Sequence, residues 1–315
     1  MYRSRYEHFQ RREGDPCPEK LYYTMFCVQE DINISGWSMS AESFEGVVAA
    51  VSGWPGLTAL HLGHCQSPQD QEPSLEKLSK SLVCCNALQA LTVGGTSHCP
   101  VSQAVNLLLP PLCTNHAGLQ HLDLGGGRGF YDRNPNISLL TELKSLTFLQ
   151  IALSAYFPAG QFAGVLSQLC NLQQLHISHS QFGSSHAVAR SLSALESLTV
   201  LNLANSGVDK NAMPGIARSL RSLCRLQHLD VSENFLPGCC VQLTDALATL
   251  PSLKSVKLSH VELCEGEAVE CMTALAHLPA LTLLDLNGSV SSREHDGLQG
   301  QCWVHAEHSG TSLLW

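Results

Sequence analysis

Apolar positions in this chain return on a long, regular period. Ten segments share the skeleton L-x-x-L-x-L, clearest in Leu172-Gln-Gln-Leu175-His-Ile177, Leu198-Thr-Val-Leu201-Asn-Leu203 and Leu226-Gln-His-Leu229-Asp-Val231. With the first Leu as position 1, the units start at Gln29, Leu57, Leu88, Leu119, Leu146, Leu172, Leu198, Leu226, Leu253 and Leu281, spaced 26 to 31 residues apart. The copy at Gln29 is weak and rests on Ile32 and Ile34. Over the first seven positions the pattern has period two. That predicts a short strand with positions 4 and 6 turned inward and positions 3, 5 and 7 turned outward.

The second half of each unit changes period. Ala187, Val188, Leu192 and Leu195 recur at helical spacing, as do Ile216, Leu220 and Leu223, and Val241, Leu243, Ala246, Leu247 and Leu250. Period two giving way to period 3.6 within one unit predicts strand, turn, helix and return. Stacked units make a parallel sheet with helices behind it. The helix layer is wider than the strand layer, so the stack must curve into a horseshoe with its strands inside.

This pattern resembles the leucine-rich repeat. Its length and full helix look like the ribonuclease-inhibitor-like subclass, which NOD-like receptors carry at their C-termini. The resemblance covers about residues 29–290 and implies an α/β leucine-rich-repeat solenoid of about ten repeats. In that family position 9 is often Asn or Cys, whose side chain ties off backbone groups in the turn after the strand. Asn234 and Cys65 match. Thr96, Ser154, Ser180, Ser206 and Ser289 supply only a hydroxyl there, and Gly127 and Val261 supply nothing.

Register is firm from Leu146 to about Leu286 and looser before it. The units from Leu57, Leu88 and Leu119 contain Pro68, Pro73, Pro100, Pro110, Pro111 and Pro135, with a Gly-rich run from Gly125 to Gly129. The extra residues are expected in ascending turns and rim loops, where individual contacts are usually made. Residues 1–28 form a flank that can cap the stack through Leu21, Tyr22, Tyr23, Met25, Phe26 and Val28. Residues 291–315 are polar, lack a helical stripe, and read as an irregular tail. That tail either folds back as an unusual cap or marks a solenoid cut short, and truncation is the favoured reading.

Composition narrows the job. Of 315 residues, 44% are hydrophobic and only 14% charged, well below a usual value of about 25%. Ser, Gln, Asn, Thr and His must therefore dress the surface. The net charge is −9, and the repeats carry no basic stripe. A nucleic-acid partner is not expected. Arg3, Arg5, Arg11 and Arg12 alternate with Glu7 and Glu13 and read as a solvated tail. No apolar run approaches the roughly 20 residues of a membrane span. Met1 to Lys20 is polar, without the apolar core of a signal peptide. The fourteen cysteines show no disulfide framework. Cys113, Cys170, Cys224, Cys240 and Cys271 fall in apolar helical stretches and read as small hydrophobes. A reducing compartment follows, cytoplasmic or nuclear, where the sequon Asn136-Ile-Ser138 would be silent.

No catalytic set emerges. Gly125 to Gly129 is not followed by Lys-Ser/Thr as in a phosphate loop. Neither H-E-x-x-H nor C-x-x-C occurs among the fifteen His and fourteen Cys. G-x-S-x-G is missing, and Ser178-His179-Ser180 has no carboxylate near it in sequence. Within column 5, His61 and His176 lie four repeats apart, about 19 Å at the usual strand spacing. No metal, cofactor or reaction is expected.

Function is then expected in what varies between copies on the inner face. Column 3 offers His121, Phe148, Gln174, Val200 and His228. Column 5 offers Asp123, Gln150, His176, Asn202, Asp230 and Lys257. Column 7 is small and leaves room for a partner to approach. Phe148, beside Gln150, Gln174 and His176, is either an anchor for a partner or packs on Tyr156 or a rim loop. Asp230, Lys257 and Asp285 are expected side by side in alternating sign. The expected function is a protein-interaction module binding partner proteins through the concave face and rim. The alternatives are the sensor or autoinhibitory part of a NOD-like-receptor-type protein and an enzyme inhibitor.

Overall fold

The computed structural model describes residues 31–35, 41–63, 72–93, 101–115, 118–125, 136–152, 159–180, 186–289 and 312–314. Among the described residues eleven strands form one parallel sheet in sequence order. They are β1 (Asp31–Asn33), β2 (Ala59–His61), β3 (Ala90–Thr92), β4 (His121–Asp123), β5 (Phe148–Gln150), β6 (Gln174–His176), β7 (Val200–Asn202), β8 (His228–Asp230), β9 (Ser255–Lys257), β10 (Leu283–Asp285) and β11 (Ser312–Leu314). Pairing keeps equal positions opposite one another, as in Leu149↔Leu175↔Leu201↔Leu229. The stack is therefore a leucine-rich-repeat solenoid, with the register expected from the sequence.

Between the strands lie α1 (Ala41–Ser52), α2 (Glu72–Leu82), α3 (Val101–Asn115), a 3-10 turn (Ile137–Glu142), α4 (Ala159–Leu166), α5 (His186–Ser191) with a 3-10 turn (Leu192–Ala194), α6 (Met213–Leu220), α7 (Cys240–Leu247) and α8 (Glu265–Leu275). Packed helices need about 8–10 Å between axes, whereas paired strands sit about 4.8 Å apart. The helical layer is therefore the longer arc, and the strands line the concave side. The core lies between the layers. Position 1 is buried at Leu57, Leu88, Leu119, Leu146, Leu172, Leu198, Leu226, Leu253 and Leu281, and positions 4 and 6 are buried in every repeat from β2 to β10. Each fully buried Leu contributes roughly 2 kcal/mol.

The backbone ladder runs beyond the three-residue strands. The position-2 carbonyl accepts twice from the next repeat, as Gln173 O does from the N–H of Thr199 (2.7 Å) and Val200 (3.1 Å). Position 8 donates across the far end, as His179 N does to Ala204 O (2.8 Å). Position 8 holds a positive φ at His179, Asn205, Glu233, His260 and Gly288. A left-handed residue there turns the chain out of the strand.

Position 9 then closes the turn. Asn234 Oδ1 accepts from the N–H of Ser206 (3.0 Å) and Val208 (2.9 Å), and its Nδ2 donates to the carbonyls of Leu203, Val231 and Ser232. Ser206 reaches back with one hydroxyl to Ile177 O (2.8 Å). Ser289 does the same to Leu258 O and accepts from Val261 N (3.3 Å). Cys65, Thr96, Gly127 and Ser154 lie outside the described residues.

Several details differ from expectation. Pro110 and Pro111 sit inside α3 rather than in a rim loop. Proline at 111 cannot donate to Leu107 O, and Ser79 Oγ of α2 occupies that carbonyl at 2.6 Å. Pro73 lies in the first turn of α2, while Pro68, Pro100 and Pro135 lie outside the described residues. Val241 is exposed, and Cys240 takes the inward place at the start of α7. Cys170 and Cys224 are exposed because they fall in the turns that follow α4 and α6, and Cys113, near the end of α3, is half-buried against the core; Cys240 and Cys271 are buried as expected. Burial pushes the thiols of Cys85 and Cys113 up to about 11, with Cys84 and Glu142 adding to it respectively. Inside the segment read as an irregular tail, Ser312–Leu314 pairs in parallel with β10, Leu313 opposite Leu284. Tyr156, residues 1–28 and residues 290–311 lie outside the described residues.

Candidate functional site

The outward positions of consecutive strands fall on one concave surface. His121 and Asp123 come from β4, Phe148 and Gln150 from β5, Gln174 and His176 from β6, Val200 and Asn202 from β7, His228 and Asp230 from β8, and Lys257 from β9. Gln174, His228 and Lys257 are exposed, and the others are half-buried between their neighbours.

Four rings along this surface form a ladder. The centroids of His121 and Phe148 are 3.9 Å apart with planes 15° from parallel, so the rings stack. On the far side Phe148 meets His176 at 5.2 Å and 32°. His121 meets His61 at 6.2 Å, edge to face. His61 belongs to β2, two strands away and about 9.6 Å distant by strand spacing alone. The contact is made because β3 carries only Ala90 at the intervening column-3 position. Comparing histidines within one column misses this pair, which is diagonal. Small Ala90 between His61 and His121 was the signal available in the sequence. Phe148 thus packs on two imidazoles of the face itself.

Burial pushes all three imidazoles down. For His121 burial is the main cause, with His61 and His176 adding to it, and its pKa falls to about 4. For His176 burial outweighs the opposing carboxylate of Asp230, and for His61 it outweighs that of Asp31. Burial therefore favours the neutral form of all three rings. His61 Nδ1 shares a hydrogen bond with Thr92 Oγ1 at 2.9 Å. Nε2 of His176 is buried and has no hydrogen-bond partner among the described residues.

At Gly125, column 7 does not offer the open space its small residue suggests. A Cβ on Gly125 would lie 2.5 Å from Cγ and 2.9 Å from Nε2 of Gln150. The Gln150 side chain fills that place, and Gly125, Ala152 and Ser232 are buried. The column-5 acids and amides also have a local task. Oδ1 of Asp123, Asn202, Asp230 and Asp285 accepts from the N–H two residues on, at Gly125, Ala204, Ser232 and Asn287. These Asx turns end the strand. Lys257 stands 3.9 Å from Asp230 Oδ2, a partly exposed pair that contributes at most ~1 kcal/mol. Among the described residues no three His, Cys, Asp or Glu side chains converge as a metal set, and no helix is long and apolar enough to cross a membrane.

No family model matches the chain, and no curated protein matches its sequence. Solved structures similar to it include internalin C2 of Listeria monocytogenes, at 20% identity over 70% of this chain and 76% of that one, TM-score 0.43. A second internalin of that organism, inlF, is 17% identical over 98% and 92%, TM-score 0.48. A leucine-rich-repeat protein of Leptospira interrogans is 16% identical over 84% and 68%, TM-score 0.49. The class of the fold rests on the chain's own repeat and register.

Proposed function

We propose that this chain is a protein-interaction module whose concave face, centred on Phe148, binds a partner protein. The observation that carries the reading is the ring ladder His61–His121–Phe148–His176. Surface positions of a merely solvated sheet need no such stack. Here four rings from β2, β4, β5 and β6 are held in contact on the inner face, and burial favours the neutral form of the three imidazoles. A rigid aromatic floor loses little side-chain freedom when a partner covers it, which favours affinity. Gln150, Gln174 and Asn202 beside it supply amides for orientation, and Val200 extends the apolar part. The free thiols among the described cysteines suit a reducing compartment such as the cytoplasm. The full helices of most repeats are in keeping with the ribonuclease-inhibitor-like form.

Enzyme inhibition through an acidic inner face is the weaker reading. Asp123, Asp230 and Asp285 each commit one oxygen to the turn beside it. The test is quantitative proximity labelling in cells with the whole chain and with Phe148→Ala, Gln174→Ala and His176→Ala combined. A partner enriched by the natural chain is expected to be lost with the triple variant and kept when convex Val83 is changed to Ser. Retention of every partner by the triple variant would overturn the concave site.

A further inference from the structure

We propose that the rim turn of the eighth repeat, from Glu233 to Val241, is a second contact surface, taking a protein segment that pairs an apolar side chain with Arg or Lys. Among the described residues the large apolar side chains left exposed are Val83, Phe235 and Val241, at 45%, 58% and 43%. Two of the three belong to this turn and the first turn of α7 that follows it.

Phe235 cannot withdraw. Asn234 before it is buried and makes five hydrogen bonds, and Leu236 after it is 1% exposed in the core. Three backbone N–H groups of the turn also bond to the ninth repeat. Glu233 N donates to Ser259 O (2.8 Å), Leu236 N to Val261 O (3.3 Å), and Gly238 N to Glu267 Oε1 (2.8 Å). A phenylalanine between two buried anchors on a braced turn is presented outward, with no inward alternative. Exposed aromatics held rigidly in this way are the usual anchors of protein interfaces.

Charge selects the occupant. Glu233 and Glu262 are exposed beside Phe235, on backbone that the turn hydrogen bonds place side by side. Glu267 and Asp209 flank the buried Cys239 of the same turn. Their carboxylates add to burial in raising its thiol, and Lys210 acts against them. Glu267 is fixed on the turn by the bond from Gly238 N, so with the exposed Glu233 and Glu262 three carboxylates stand at this surface. A segment with a Leu or aromatic anchor and a neighbouring Arg or Lys matches both features, whereas an acidic or purely apolar segment matches at most one. The surface lies on the rim, so it can act whether or not the concave face is occupied.

The test is selection of a random peptide library displayed on phage against the whole chain, repeated with Phe235→Ser and with the Glu233→Gln/Glu262→Gln pair. Both variants change exposed side chains, and thermal melts establish that they fold. The expected peptides join an apolar anchor to Arg or Lys. They weaken about tenfold or more with Phe235→Ser, weaken with the Gln pair and with added salt, and are unaffected by Phe148→Ala. Selection that yields no Phe235-dependent peptide, or yields acidic ones, would overturn the proposal. Peptides that depend only on Phe148 would do the same while supporting the concave site.

Discussion

The imidazole of His121 lies flat against the ring of Phe148, 3.9 Å away. The two residues are 27 apart in sequence, and the parallel register of β4 and β5 sets them directly opposite. Stacking of this kind contributes about 0.5–1.5 kcal/mol beyond the area buried. Phe148→Ala is therefore expected to lower stability by ~1–2 kcal/mol, since the ring is only half-buried, while leaving the fold intact. Urea denaturation gives the stability change, and loss of the enriched partner in proximity labelling gives the functional one. A variant as stable as the natural chain would show that the ladder contributes no packing.

Acid should weaken the ladder. His121, His61 and His176 all have folded-state pKa values below the ordinary 6.5. Between 6.5 and the folded value the unfolded chain holds more protons, so stability rises with pH across that window. It is fully present above about pH 6.5 and is lost as pH falls toward about 4, the value for His121. The carboxylates of Asp31 and Asp230 work against the shift in His61 and His176, so His121 should dominate. Denaturation curves between pH 7.5 and 4.5 are expected to fall more steeply for the natural chain than for His121→Gln. Parallel curves would contradict the assignment.

Turn closure by Asn234 should be costly to remove. Asn234→Ala leaves the N–H groups of Ser206 and Val208 and three carbonyls without that partner in a buried site. At about 1–3 kcal/mol for each buried group left unsatisfied, and with water satisfying some of them, the expected loss is ~3–5 kcal/mol. Ser206→Ala removes a single hydroxyl donor and should cost about 1 kcal/mol. Chemical denaturation of the two variants side by side checks the ratio. Similar losses would mean that the amide is not the main closure.

Gly125→Ala tests the face without touching a ladder ring. The new Cβ would displace the Gln150 side chain, the flexible group that now occupies the space. The expected stability change is below about 1 kcal/mol, because Gln150 can swing toward solvent. Partner capture should nevertheless change, since the displaced amide would stand over the concave surface. Unchanged capture with confirmed displacement of Gln150 would exclude it from the contact.

Legibility varied with the range of the interaction. The inward columns were readable because Leu122, Leu149, Leu175 and Leu201 obey a local alternation that any parallel stack must satisfy. The strand-end role of Asp123 and Asn202 was not read, because an Asx turn looks like any outward polar residue until the backbone is in place. The outward direction of Val241, beside the buried Cys240, was not read for a similar reason. They are adjacent in sequence, and a shift of one residue in the start of a short helix decides which of them faces inward.

By itself the sequence determined the repeat, its register and the identity of each column, since hydrophobic burial at positions 1, 4 and 6 repeats in every unit from Leu57 to Leu281 and leaves one solution. Tertiary structure alone decided which outward residues touch. His61 reaches His121 across Ala90, Gln150 fills the place beside Gly125, and Phe235 is held out by Asn234 and Leu236. Those contacts are diagonal or depend on side-chain direction. They follow from the ~4.8 Å strand spacing and from the local turn, neither of which a linear pattern records.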